Sequence, residues 1–145
     1  MPIVAQDDYA DAGRRHLADA HGLAGAERWD GVMHLAGFAG ECALKASLLR
    51  SYGGAFSGRD YRHDLEGLAG WAWAWSADVL GDTGLRHARR DVKASDLAQG
   101  HPDRRYWRRC WTQLEAEYAL ALADQLVHQL VLDEVLDRGA AWGED

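Results

Sequence analysis

Few side chains in this sequence can do chemistry, and they are unevenly placed. Glu41 stands among apolar and small residues, with Lys45 one helical turn later in the favourable Glu-to-Lys order. Unpaired charges are costly to bury, so polar residues on apolar segments tend to gather. Glu41 is therefore either satisfied by Lys45 within a structural network, or part of a ligand-binding pocket. That pocket would gather Glu41, Lys45, His63 and Asp64, with Arg105 and Tyr106 closing it. His63 alone is more often a capping residue than a base. No metal or other cofactor is expected: His16 and His21 are five apart, off one helical face, and no C-x-x-C occurs. Cys42 and Cys110 sit in helical patterns and read as reduced core thiols, which suits the cytoplasm.

The cations form a second group. The net charge of −7 divides into −2 over residues 1–58, −3 over 59–85, +5 over 86–109 and −7 over 110–145. The basic stretch consists of Arg86, Arg89, Arg90, Lys93, Arg104, Arg105, Arg108 and Arg109. Guanidinium forks grip phosphate, and Tyr106, Trp107 and Trp111 offer stacking surfaces nearby, a combination that suits RNA. Alternatively, the acidic 110–145 segment neutralises this stretch, within a subunit or across a dimer. Overall acidity disfavours tight non-specific duplex binding. Trp71, Trp73 and Trp75, like Trp107 and Trp111, read more readily as core or dimer interface than as platforms for bases.

These residues must be carried on helices. The 145 residues include 25 Ala and 18 Leu but only 7 Val, 1 Ile and 2 Thr, which favours helix over strand. The only prolines are Pro2 and Pro102, and the length suits one domain. A first helix is expected over about 5–24, with Tyr9, Ala12, His16, Ala20 and Leu23 as its apolar stripe. A second, over about 30–52, is apolar nearly all round and should be central, its small residues admitting close neighbours. Asp64 is placed to cap a third helix. Beyond Pro102, residues 103–138 lack glycine and proline and predict one long helix. Its stripe of Trp107, Trp111, Leu114, Tyr118, Leu122 and Leu126 would face the core, and Leu120, Val127 and Val131 a further partner such as a second subunit. Met1–Asp8 lacks the features of a secretory signal. The longest apolar stretch, 65–80, has an uncharged core too short to span a bilayer, so no membrane partner is expected.

Part of this text is familiar. Residues 30–46, DGVMHLAGFAGECALKA, resemble a characteristic helix of HEPN (higher eukaryote and prokaryote nucleotide-binding) domains. Arg62-His63-Asp64-Leu65 is similar to the start of a further helix in that family, and Arg105-Tyr106 to an element before its last one. The resemblance covers about residues 10–135. It implies an all-α, up-down bundle of four to five helices, commonly a homodimer. It also implies a setting in toxin–antitoxin or other bacterial defence systems, as an RNase, a partner of a nucleotidyltransferase, or a non-catalytic RNA- or nucleotide-binding module. RNase members carry R-x4–6-H on a late helix, where arginine steadies phosphate and histidine exchanges a proton. Here the arginine positions before His128 hold Ala121, Leu122 and Ala123, and those before His101 hold Ala94, Ser95 and Asp96. The spacing recurs only early, at Arg14 or Arg15 with His21 and at Arg28 with His34, where chance suffices to explain it. The resulting expectation is a non-catalytic or diverged RNA- or nucleotide-associated module. The alternatives are a metal-independent RNase using Glu41, His63 and Arg105, and a helical scaffold for dimerisation.

Overall fold

The computed structural model describes residues 8–52, 63–65, 67–69, 96–106 and 111–131, and all regular structure among them is helical. The first helix, α1 (Tyr9–Gly25), starts at Asp8, whose side chain accepts the Asp11 N–H at 3.0 Å. Such a cap satisfies one of the helix's orphan donors. The buried face of α1 is Ala10, Gly13, Leu17 and Ala20, one residue round from the expected stripe, which leaves Ala12 and His16 half-buried. Close packing explains the shift. A Cβ at Gly13 would lie 3.3 Å from Cys42 Cβ, so the smallest residue faces the neighbouring helix.

That neighbour, α2 (Trp29–Tyr52), lies against both α1 and the last helix and forms the centre of an all-α bundle. Val32, Met33, Ala36, Ala39, Ala43, Leu44 and Leu48 are all buried. Within it Trp29–Leu49 is, among the described residues, long and apolar enough to cross a bilayer, but 78% of its most apolar stretch is buried in the bundle. Apolarity all round is what a core helix requires. The Cys42 thiol is buried and free, and burial pushes its pKa up to about 12, which leaves it protonated and inert.

Asp64 caps the next helical turn as expected: its Oδ1 accepts the Gly67 N–H at 3.0 Å. Leu65, Leu68 and Ala69 then enter the core. Trp71, Trp73 and Trp75 lie outside the described residues.

The single helix expected over 103–138 is not what forms. Asp103–Tyr106 is a 3-10 turn, Trp111 and Thr112 are not helical, and α3 runs Gln113–Leu130. Thr112 and Glu115 make a reciprocal cap: Thr112 Oγ1 accepts the Glu115 N–H at 3.2 Å, and Glu115 Oε1 accepts the Thr112 N–H at 3.3 Å. The expected stripe is also displaced, since Leu114 is 63% and Tyr118 69% exposed. Ala116, Ala119 and Ala123 take the inner face with Leu122, Leu126 and Leu130, because small residues let α3 approach the core helix closely. The Trp111 N–H donates to Asp30 Oδ1 at 3.2 Å and ties the approach to α3 to the first turn of α2.

Candidate functional site

Glu41 sits midway along α2 and is only 3% exposed. Each of its oxygens is engaged. Oε2 accepts from Lys45 Nζ at 3.1 Å, the pairing that their one-turn spacing allows. Oε1 lies 2.8 Å from His63 Nδ1 and 2.9 Å from His101 Nε2. Burial alone would raise the Glu41 pKa, but the His101 hydrogen bond, the Lys45 charge and the His63 hydrogen bond together hold it below its ordinary value. The group is therefore a carboxylate, which can only accept, so both imidazoles donate to it. Burial keeps His101 below its ordinary pKa despite the pull of Glu41, with the Arg104 charge acting in the same direction. At neutral pH the cluster is a Glu41–Lys45 ion pair, with a neutral His101 on its inner side.

His101 reaches Glu41 across 60 residues of sequence and its side chain is completely buried. Its Nδ1 has no hydrogen-bond partner among the described residues. Gly37 makes room for it: a Cβ there would fall 2.6 Å from His101 Nδ1 and collide with the Arg104 guanidinium. Arg104, 4% exposed, staples this segment to the core helix. Its Nη1 donates to the carbonyls of Asp96 and Gln99, both at 3.0 Å, and its Nη2 to that of Met33 at 2.7 Å. Burial draws its pKa down to about 10, so it remains a cation. This corrects its expected place in the phosphate-binding stretch, because the side chain is buried and all three of its bonds are to backbone carbonyls. Arg86, Arg89, Arg90, Lys93, Arg108 and Arg109 lie outside the described residues. Arg105 and Tyr106 contribute backbone to the 3-10 turn, and their side chains are also outside.

Phe38, one turn before Glu41, braces the histidines. His16, His34, His63 and His101 have ring centroids 5.7, 4.9, 5.4 and 4.7 Å from its own. The last three meet it edge to face, a favourable aromatic geometry that fixes their orientations. Of the two histidines on Glu41, His63 is the one open to solvent, with its side chain 45% exposed. With Nδ1–H on the carboxylate, its Nε2 carries the lone pair. An imidazole oriented by a carboxylate in this way can take up and return a proton.

Of the residues read as a pocket from the sequence, Glu41, Lys45 and His63 therefore meet, whereas Asp64 caps its own helix. His101 and Phe38 were missed. His101 has no local pattern that points to Glu41, and Phe38 reads as one more apolar residue on α2. A second histidine–carboxylate pair, His21 Nε2 with Asp124 Oδ1 at 2.8 Å, lies in a groove of about 340 Å³ between α1 and α3. Arg14 and His128 also line that groove, so one of the early arginine–histidine spacings does share a surface. No protein-family model matches the chain, nor does any curated protein or solved structure.

Proposed function

We propose that the chain is a HEPN-like RNA- or nucleotide-associated domain, non-catalytic or catalytically diverged, with His63 as the group that meets the ligand. One observation carries this reading. The residues behind the resemblance, Glu41 and Lys45 from one segment and His63 from another, converge on a single buried carboxylate with one half-exposed imidazole. That imidazole accepts a hydrogen bond from a ribose hydroxyl through Nε2, or donates to a phosphate oxygen once protonated. In this reading the protein is cytoplasmic and homodimeric through its helices. It acts in a defence or toxin–antitoxin-like system, alongside a nucleotidyltransferase.

The Glu41–His63 hydrogen bond also favours a second reading, a metal-independent endoribonuclease. There His63 Nε2 removes the 2′-hydroxyl proton as that oxygen attacks the adjacent phosphorus. The 5′-oxygen leaves with a proton, giving a 2′,3′-cyclic phosphate and a 5′-hydroxyl, and Arg105 would steady the phosphate.

The two separate in EDTA. A fluorescent RNA panel and a set of nucleotides are expected to bind in a salt-sensitive manner, with affinity reduced at least tenfold by His63→Ala and the RNA left intact. Cleavage abolished by the same substitution would favour the endoribonuclease. Dimerisation with no binding of either ligand class would leave a scaffold.

A further inference from the structure

We propose that Glu41, His63 and His101 together bind one divalent cation of the zinc class. The donor set is one carboxylate oxygen and two imidazole nitrogens, and all three atoms lie within 4.8 Å of one another. Carboxylate with two histidines is a combination that suits zinc and related transition ions, and magnesium poorly. Three protein ligands also leave a coordination position for water or an anion, on the side where His63 meets solvent.

Around Glu41 the surroundings resemble the outer shell of a metal site. Lys45 occupies Oε2 and leaves Oε1 to the ion, and a ligating carboxylate ordinarily receives a hydrogen bond of this kind. The Phe38 ring holds both imidazoles edge to face, so much of their ordering precedes the ion. Two of the ligands are internal: Glu41 is buried, and the His101 side chain has no exposed surface. Tetrahedral zinc places its ligand atoms about 3.3 Å apart, so the widest separation must contract. His63 can provide that movement, because it is half-exposed and precedes a helical turn rather than lying within one.

Protons balance without loss to solvent. Both nitrogens facing Glu41 carry hydrogen in the metal-free cluster, and the ion needs their lone pairs. Each hydrogen is carried instead on the far nitrogen of the same ring, His63 Nε2 or His101 Nδ1. The latter is a buried nitrogen without a hydrogen-bond partner among the described residues. Glu41, Lys45 and the ion sum to two positive charges, which favours hydroxide or a phosphate oxygen in the open position. The ion and the Glu41–His63 hydrogen bond exclude each other, so the metal-bound protein is a distinct state of the same side chains.

The test is titration of chelator-treated full-length protein with zinc chloride, followed by calorimetry and by the visible bands of cobalt(II) as a substitute. Neither measurement involves RNA, so the outcome is separate from that of the RNA and nucleotide assays. One zinc per chain is expected, with a higher melting temperature, at least tenfold weaker binding in His63→Ala and Glu41→Gln, and no effect of magnesium. His128→Ala, in the groove between α1 and α3, should leave binding unchanged. Because His63 is half-exposed, circular dichroism of His63→Ala can confirm that the comparison is between folded proteins. Absence of stoichiometric binding would overturn the proposal. So would binding that survives both His63→Ala and Glu41→Gln, or binding lost only in His128→Ala.

Discussion

Two buried groups, the Glu41 carboxylate and the Arg104 guanidinium, hold the polar interior together from opposite sides of His101. Arg104 is itself buried and donates to three backbone carbonyls, of which that of Met33 lies deepest in the core. Arg104→Ala should therefore cost about 3 kcal/mol or more, read as a lowered denaturation midpoint. Arg104→Lys should recover only part of this, because a single ammonium cannot reproduce the planar fork. Gly37→Ala forces a methyl against both His101 and Arg104 and should cost roughly 1–3 kcal/mol. The legible part of this interior was local. Glu41 and Lys45 stand a turn apart on an otherwise apolar helix, and a charge in that setting must find partners. His101 was illegible because its partner is 60 residues away and only the folded chain brings them together. Composition alone does not distinguish Arg104 from the arginines beside it in sequence, whereas its own environment is a set of carbonyls.

Among the elements, α2 was readable because continuous apolarity and interior glycines admit few alternatives to a central helix. The final helix was not. Absence of glycine and proline over 103–138 shows what does not interrupt a helix, but not where hydrogen bonding starts. Thr112 and Glu115 carry that information, since their reciprocal cap satisfies donors that would otherwise be lost at the start of α3. Thr112→Ala should cost about 1 kcal/mol and increase amide exchange in the first turn of α3, with little change at its C-terminal end. Thr112→Asp, which keeps an acceptor, should restore most of that loss. The location of this cap also explains the displaced stripe. Beginning at Gln113, α3 directs Ala116, Ala119 and Ala123 inward, and Leu114 and Tyr118 remain largely exposed.

For the molecule as a whole, the protonation of its interior sets its response to acid. His16 is held below its ordinary value of 6.5, chiefly by burial and secondarily by Arg15. His101 is lowered by burial, and Glu41 lies below its ordinary 4.5. In each case the unfolded chain takes up the proton first, so stability is fully present above the unfolded value and falls as pH drops through the interval below it. Melting temperature should be level above about pH 7, decline from about 6.5 as the histidines are engaged, and decline again below 4.5 with Glu41. Phe38→Leu should flatten little of this profile, because the ring orients the histidines without titrating. The ring has one further effect. Circulating electrons in an aromatic ring shift the magnetic resonance of nearby nuclei according to their position over its face or at its edge. With four imidazoles at 4.7–5.7 Å from its centre and at different tilts, Phe38 disperses the carbon-bound proton signals of His16, His34, His63 and His101. A proton, a cation or a nucleotide arriving at one of these rings would register as a displaced resonance in a protein carrying no added label.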